Sequence, residues 1–191
     1  IRLAAPITTV KRTALGVEIL HQGHWEQFDE VVFATHSDDS LRLLADPTPQ
    51  EAAALGAVRY QPNTAVLHAD ARAMPQRRAT WSSWNYTERQ GFEGGPIDLT
   101  YWMNCLQPIP QDDPLFVTLN SRAPIDERLV YDTATFRHPV YDLPALAAQG
   151  TIRAMNGDNN TWFCGAWMKN GFHEDGYASA MDVVDGMAAR D

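Results

Sequence analysis

A short segment bounded by glycines near the end of the chain carries the clearest chemical signal. It reads Gly171-Phe-His-Glu-Asp-Gly176, and apolar residues at helical spacing follow it, so it predicts the start of a helix. The first N–H groups of a helix have no partner within the helix, and the helix dipole adds partial positive charge there. Glycines at its two ends would let a ligand approach the backbone closely. Such a segment can hold an anion, whereas Glu174 and Asp175 can cap the N–H groups or accept hydrogen bonds from ligand hydroxyls.

A strand and a helix must position this segment. Trp162-Phe-Cys-Gly165 is a short apolar run that ends in glycine, which favours a strand, and residues 166–172 would form the following loop. Beyond His173 the apolar residues recur at helical spacing, at Tyr177, Met181, Val184, Met187 and Ala188. We therefore expect a strand, a glycine loop and a helix at this end of the chain.

Strands dominate most of the remaining sequence. A hairpin over residues 7–20 leads into the apolar run of residues 28–35, for which we expect a strand covered on both faces. Further strand-like runs, separated by turns, follow at residues 63–68, 80–86, 97–104, 115–119 and 129–136. Their number and spacing predict an α+β fold with one mixed or antiparallel sheet.

Three short helices are predicted between these strands. Ser37 can cap a helix that Pro47 stops, and residues 144–149 form a brief helix. The middle helix has the strongest signal, because Thr48-Pro-Gln-Glu51 places a capping residue, a proline and a glutamate at the preferred positions of a helix start. Gly56 is the expected end of that helix.

Composition narrows the classes of function. The chain has 191 residues, of which 45% are hydrophobic and 20% are charged, as is typical of globular proteins. A net charge of −9 argues against nucleic-acid binding driven by charge, and no apolar run approaches the ~20 residues of a membrane span. Cys105 and Cys164 match no metal or redox spacing, so we expect both to be reduced and buried in a cytoplasmic protein.

Two stretches at opposite ends of the chain carry a family resemblance. Phe163-Cys-Gly-Ala-Trp167, followed by residues 171–180, resembles the C-terminal flavin-binding segment of the flavin amine oxidase superfamily. Residues 3–10, 16–19 and 29–35 resemble that superfamily's hairpin and the strand that returns to its flavin domain. Along nearly the whole chain, the sequence is similar to a bacterial group of predicted NAD/FAD-binding proteins related to amine oxidases, in residues 34–38, 67–70, 74–75, 81–86 and 171–176.

This resemblance implies FAD as cofactor and a parent protein of the α/β, Rossmann-like class. The backbone of Ile7 would contact the flavin adenine, and Gly165 and Ala166 would lie near the ribityl-phosphate chain. Phe172 would wall the substrate side of the flavin. The helix start would face the pyrimidine end of the isoalloxazine, where N–H groups stabilise negative charge on the reduced ring. The implied cofactor-binding residues are Ile7, Gly165, Ala166, Gly171, Phe172, His173, Glu174, Asp175 and Gly176.

The sequence departs from the family pattern in two ways. Asn63 or Thr64 stands where amine oxidases have a lysine that holds a water beside flavin N5, so we do not expect amine oxidation. A Gly-x-Gly-x-x-Gly fingerprint is absent from the sequence, and Gly91 to Gly95 has neither its spacing nor a following helix pattern. We therefore expect a missing N-terminal dinucleotide-binding half as partner. The candidate catalytic residues are Asn63 and His173.

Two tryptophans are candidates for lining a substrate cavity. If residues 80–86 form one strand, the side chains of Trp81 and Trp84 point to opposite faces of the sheet. One of them could then line a cavity while the other packs in a core, although simple core packing of both is the favoured interpretation.

We expect no metal site. The imaginable ligands come in pairs that lack a third partner at a suitable spacing, namely His21 with His24 and His68 with Asp70. A serine hydrolase is not expected either, because the sequence contains no Gly-x-Ser-x-Gly elbow.

We interpret the chain as the C-terminal part of an FAD-dependent oxidoreductase. Residues 1–36 and 157–191 would complete its flavin domain, and residues 37–156 would form a substrate domain whose sheet covers the flavin. The implied reaction moves hydride from a C–H bond to flavin, with a small molecule or lipid, first of all a fatty acyl chain, as substrate.

Alone, the chain is expected to be inactive and to bind no flavin tightly, and its exposed apolar surface could drive formation of a homodimer. The alternative is a non-catalytic α+β binding module whose helix start holds another anion or a partner.

Overall fold

The computed structural model describes residues 1–88 and 98–190, and the chain divides into two compact units. Unit 1 comprises Ile1–Tyr60 and Pro139–Asp191, and unit 2 comprises Gln61–His138. The division into segments 1–36, 37–156 and 157–191 concerns functional domains and stays a prediction.

The described residues form ten strands and five α-helices. The strands are β1 (Ile7–Thr13), β2 (Gly16–His21), β3 (His24–Phe28), β4 (Val31–Phe33), β5 (Arg59–His68), β6 (Trp84–Thr87), β7 (Asp98–Trp102), β8 (Phe116–Leu119), β9 (Val130–Val140) and β10 (Thr161–Phe163). The helices are α1 (Ser37–Leu43), α2 (Pro49–Ala57), α3 (Met103–Leu106), α4 (Leu143–Met155) and α5 (His173–Ala188). None of these helices combines the length and apolar character needed to cross a membrane.

Unit 1 contains two sheets. Strands β1, β2 and β3 form an antiparallel meander, which confirms the predicted hairpin, and β4 pairs in parallel with β10. The prediction of a single strand over residues 28–35, covered on both faces, is wrong. Residues 29 and 30 lie outside any strand and separate β3 from β4. Within β4, Val32 is 43% exposed whereas Phe33 is buried. Successive side chains alternate between faces, and only one face of β4 packs on the core.

The core of unit 1 lies between these strands and helices α1, α2 and α4. Helix α4 runs for 13 residues, longer than predicted, because Asp142 caps it and its apolar positions continue at helical spacing. Helix α1 begins at Ser37 with His36 as N-cap, so the predicted Ser37 cap is wrong by one residue. The buried core members are Val10, Phe33, Leu44, Ala54, Leu55, Val58, Ala145, Ala148, Ile152, Met155, Phe163, Trp167 and Met168.

Helix α2 begins with the predicted capping box. The Glu51 N–H donates to the Thr48 hydroxyl at 3.2 Å, and the Thr48 N–H donates to the Glu51 carboxylate at 2.7 Å. That carboxylate also accepts a 2.5 Å hydrogen bond from Arg12 on β1, and both side chains of this ion pair are buried. Helix α2 continues one residue past Gly56. The ion pair between Arg12 and Glu51 therefore joins the sheet of β1, β2 and β3 to helix α2.

Unit 2 is built on a five-stranded sheet with the order β6-β7-β8-β5-β9. The β6–β7, β7–β8 and β5–β8 pairs are antiparallel, which confirms the predicted α+β class. Two predicted strands are shorter than expected, because Arg78–Thr80 forms a turn of 3₁₀ helix and β7 runs into α3. Cys105 on α3 is exposed, so its predicted burial is wrong, whereas Cys164 is buried as expected.

Replacing Glu51 tests the ion pair between β1 and α2. Glu51→Gln is expected to lower the free energy of unfolding by about 3 kcal/mol, because Arg12 stays buried without its charged partner. Urea denaturation at neutral pH measures this loss. Glu18→Gln, which breaks the partly exposed pair with Lys11, is the matched control and should cost less than about 1 kcal/mol. Equal losses in the two variants would contradict the role assigned to Glu51.

The same pair predicts a pH dependence of stability. Burial favours a higher pKa for Glu51, but the hydrogen bonds from Arg12 and Thr48 outweigh it and hold this pKa below its ordinary value. A lowered pKa in the folded state stabilises the protein above the unfolded-state pKa, and this stability is lost as the pH falls through the folded-state pKa. Glu51→Gln should therefore lose less stability than the unsubstituted protein between neutral and acidic pH in the same denaturation experiment.

Candidate functional site

Two strand ends in unit 1 lie side by side and lead into two helices. Because β4 and β10 are parallel, their carboxyl ends meet at the same edge, and α1 follows one while α5 follows the other. The Cys164 N–H donates to the Phe33 carbonyl at 2.9 Å, and the Phe33 and Phe163 rings stack 5.4 Å apart. Ligands of open α/β sheets bind in this position, beyond the carboxyl ends of parallel strands.

The loop after β10 adopts a backbone that requires glycine. Gly165 has φ +146°, and a Cβ there would lie 2.7 Å from the Trp167 indole nitrogen. That indole N–H donates to the Thr35 carbonyl after β4 at 3.0 Å, so it joins the two strand-end loops. The Gln149 amide on α4 donates to the carbonyls of Trp167 and Lys169 at 2.9 and 2.7 Å. The loop is thus held from both sides.

Ser179 fastens the glycine turn to α5. Its buried hydroxyl accepts a 2.8 Å hydrogen bond from the Gly165 N–H and lies 2.8 Å from the Gly176 carbonyl, to which it donates. The family resemblance assigns Ser179 no role. The available signal was a small hydroxyl residue one helical turn beyond Gly176, on the face that packs against the loop.

The first turn of α5 keeps free hydrogen-bond donors. The Asp175 carboxylate accepts from the Phe172 N–H at 3.0 Å and the Asn170 N–H at 3.2 Å, so it caps the loop. Within the described part of the chain, the N–H groups of His173 and Glu174 have no acceptor. These donors can therefore bind an acceptor group of a ligand.

A second unused donor lies beside the loop. Gly171 has φ +94°, and a Cβ there would lie 2.7 Å from the Tyr141 hydroxyl oxygen. This hydroxyl is buried and has no hydrogen-bond partner among the described residues. Burial, followed by the negative charge of Asp175 and the nearby Tyr60, raises the pKa of Tyr141 to about 12. It therefore stays protonated at neutral pH.

The other residues implied by the resemblance are placed with mixed results. Gly165, Ala166 and the residues from Gly171 to Gly176 come together around the loop, and the Phe172 side chain is 57% exposed. Ile7 opens β1, and its strand pairing is with His21 on β2; within the described residues no hydrogen bond joins it to the glycine loop. Its proposed contact with the adenine stays a prediction.

Asn63 lies in unit 2, where its side chain forms hydrogen bonds with other protein side chains. Its carbonyl oxygen accepts from Asn120 at 2.8 Å, and its amide nitrogen lies 2.8 Å from the His138 ring nitrogen. The neighbouring Thr64 is exposed, and its N–H donates to Asn120. Asn63 thus fastens β5 to the loop after β8 and to β9, and a catalytic role for it stays a prediction.

Trp81 and Trp84 lie on opposite faces of the sheet, as predicted. They do not belong to one continuous strand, because β6 begins only at Trp84. Trp81 precedes β6 and packs edge-on against Trp102 and Phe116, with ring centroids 5.2 and 5.7 Å away. Trp84 opens β6, is 49% exposed and packs against Tyr101. Trp102 and Tyr101 are adjacent in β7 and therefore face opposite ways. Of the two, Trp84 is the one that lies on an open surface.

One group of side chains in the described residues has the makings of a metal site. His36, Asp38 and Asp39 place ligand atoms within 4.8 Å of one another at the start of α1. The spacing of these three residues matches none of the ligand pairs considered from the sequence. The Asp39 carboxylate forms an ion pair with Arg42 at 2.7 Å, and the His36 ring stacks on Tyr60 with centroids 4.2 Å apart. The Asp38 carboxylate accepts a 2.9 Å hydrogen bond from the Asp39 N–H, so protein groups already contact all three members.

No protein-family model and no curated protein matches the chain. Its likeness to known proteins is therefore a likeness of structure. The CLA-producing fatty acid isomerase from P. acnes has 15% sequence identity and a TM-score of 0.66, over 95% of this chain and 47% of its own. A protein from Exiguobacterium sp. 255-15 assigned as a protoporphyrinogen oxidase has 12% identity and a TM-score of 0.71, over 100% and 48%.

A variant of putrescine oxidase also matches, with 11% identity and a TM-score of 0.62, over 98% of this chain and 49% of its own. The chain has the fold of about half of each of these three structures. Identities this low establish the fold alone. The resemblance found in the sequence is thereby confirmed at the level of the fold, and the chain spans about half the length of the structures it matches.

Substitution of Gly165 tests the geometry of the glycine loop. Gly165→Ala is expected to lower the free energy of unfolding by about 2 kcal/mol, because the new methyl group meets the Trp167 ring and the backbone is strained. Gly150→Ala, inside α4 with open space around it, is the matched control and should be neutral or slightly stabilising. Both variants are compared by urea denaturation. A neutral Gly165→Ala would contradict the described loop geometry.

Proposed function

We propose that the chain supplies one half of an FAD-dependent oxidoreductase, and that a dinucleotide-binding half supplies the other. The observation that carries this proposal is the start of α5, where free backbone N–H groups lie beside a glycine loop at the carboxyl end of a parallel strand pair. The fold likeness to flavin amine oxidases supports it.

The residues around the loop fit the acceptor edge of a flavin. The ring presents carbonyl oxygens and nitrogens, and the loop offers the N–H groups of His173 and Glu174 as donors. The Tyr141 hydroxyl, buried without a partner among the described residues, is a further donor beside Gly171. When bound, FAD supplies an acceptor for hydride from a C–H bond. The N–H groups and the dipole of α5 then stabilise negative charge on the reduced ring.

The exposed side of α5 supports a missing partner half. Tyr177, Met181 and Val184 recur at helical spacing and are 63%, 38% and 53% exposed, whereas Ser179 and Val183 face the protein interior. An apolar stripe of this kind on a helix is normally covered. We infer that the dinucleotide-binding half covers it, and that the 191 residues alone are inactive and bind flavin weakly.

An apolar substrate is favoured by one face of the sheet in unit 2. The register between β5, β6, β7 and β8 places apolar side chains of neighbouring strands together on this face, which we call the apolar face. Its members are Ala65, Leu67, Trp84, Leu99, Tyr101, Val117 and Leu119. All of these except Ala65 keep some exposure to solvent. A fatty acyl chain is the substrate class that such a surface fits, and one of the matching structures is a fatty acid isomerase.

The decisive experiment uses a protein that contains these residues together with a dinucleotide-binding half. We expect it to be yellow after purification, and Gly176→Val to weaken its affinity for FAD at least about tenfold, since the larger side chain would push α5 from the loop. Gly176→Ala is the matched control, because a Cβ at this position lies 3.7 Å from the Ala166 nitrogen and fits. Visible absorbance and titration with FAD measure both effects.

A colourless protein that takes up no FAD would overturn the proposal and favour the binding-module alternative. Equal FAD affinity of the Gly176→Val variant and the unsubstituted protein would remove the start of α5 from the cofactor site.

The substrate class has a separate test. Leu99→Asn on the apolar face should raise the KM for long-chain fatty acids about tenfold, because burying the amide against an acyl chain removes apolar contact. The control is Leu106→Asn on α3, an exposed leucine away from this face. Steady-state kinetics with long and short acyl chains measures the difference. If none of the fatty acids tested reduces the flavin, this result would contradict the proposed substrate class. It would leave the assignment of FAD as cofactor unchanged.

A further inference from the structure

The opposite face of the sheet in unit 2 carries a cavity of about 290 Å³ that is lined by both polar and apolar groups, and we call it the threonine cavity. Its floor consists of side chains that point away from the apolar face: Asn85, Thr87, Asp98, Thr100 and Thr118. Its walls come from the segment between β5 and β6, chiefly Arg72, Ala73, Met74 and Pro75. Every one of these residues lies in unit 2, so the cavity belongs to that unit alone.

A chain of buried hydrogen bonds ends at this cavity. The Asp70 N–H donates to His68 Nδ1 at 3.1 Å, so the ring is neutral there and carries its proton on Nε2. Burial lowers the pKa of His68, in agreement with the neutral form. The Nε2–H donates to the Thr118 hydroxyl at 2.7 Å, and that hydroxyl lies 2.9 Å from the hydroxyl of Thr100.

The hydroxyl groups of Thr100 and Thr118 have one more proton than their hydrogen bonds use. The two threonines carry two hydroxyl protons, and only one of them can lie between their oxygens. Whichever way that bond points, the other hydroxyl proton has no acceptor among the described residues. Thr100 and Thr118 are 2% and 1% exposed, and both line the cavity. The cavity therefore presents a fixed donor that a ligand oxygen can use.

Asp98 gives the cavity its charge. Asp98 is 9% exposed, and among the described residues its carboxylate accepts one long hydrogen bond, at 3.4 Å from the Arg122 N–H. Across residues 1–88 and 98–190 no cation forms an ion pair with it. Arg72, the basic residue of the described cavity lining, forms an ion pair with Asp70 at 2.6 Å. A poorly compensated carboxylate in a cavity favours a cationic donor.

We propose that the threonine cavity is a binding site for a small amino alcohol, a ligand with a protonated amine and an oxygen. Asp98 binds the amine, the threonine pair donates to the oxygen, and the apolar walls of Ala73, Met74 and Pro75 cover the short carbon body. This site is separate from the flavin site proposed above, because its lining residues all belong to unit 2 and include none of the residues around α5.

Ethanolamine, ethylamine and ethylene glycol are the probes, added to the 191-residue protein while two-dimensional NMR follows the backbone amides of Asp98, Thr100 and Thr118. Ethanolamine should bind at least about fivefold more tightly than either of the others, because ethylamine lacks the oxygen and ethylene glycol lacks the charge. Asp98→Asn should abolish the advantage of ethanolamine over ethylene glycol. Asp132→Asn, an exposed carboxylate on β9, should preserve it.

Two results would overturn the proposal. One is the absence of any probe-dependent shift at these three amides in the folded protein. The other is equal affinity for the three probes, or an Asp98→Asn variant that keeps the preference for ethanolamine while its spectrum shows the native fold. Neither result bears on FAD binding, which rests on other residues.

Discussion

The parallel pairing of β4 with β10 is the interaction on which the candidate site depends. Only three residue pairs hold it, from Thr161 with Val31 to Phe163 with Phe33, and the ladder continues through the hydrogen bond from Cys164 to the Phe33 carbonyl. Parallel strands cannot be joined by a tight hairpin, so the chain must travel from β4 to β10 through the rest of the protein. This constraint brings residues more than a hundred positions apart to one edge, from which the chain continues into α1 and α5.

Once that edge is formed, the loop after β10 has little freedom. Trp167 is buried over Gly165 and bonds to Thr35, so the indole both fills the space that a side chain would need and joins the two loops. Ser179 binds the same glycine from the helix side. Because packing and hydrogen bonds fix the loop from two directions, the donors of α5 are preorganised, and a ligand need not order them.

Local signals in the sequence were sufficient for much of this fold. The capping box at Thr48 and the strand, glycine loop and helix from Thr161 onward were predicted because each depends on residues a few positions apart. The burial of β4 and of Cys105 was predicted wrongly, because apolar character alone does not show which face a neighbour covers. Tyr141 and Ser179 were missed since their importance comes from contacts formed only after the loop has folded.

The sheet of unit 2 shows the same limit in another form. Its pleat sends alternate side chains to opposite faces, so a strand such as β7 carries Leu99 and Tyr101 on the apolar face and Thr100 on the polar face. The alternation is visible in the sequence, but the hydrogen-bonded row of His68, Thr118 and Thr100 joins residues from three strands and needs the register between them. A one-residue shift of β8 would turn Thr118 to the apolar face and break that row. The register that places the apolar face on one side therefore also fixes the threonine cavity on the other.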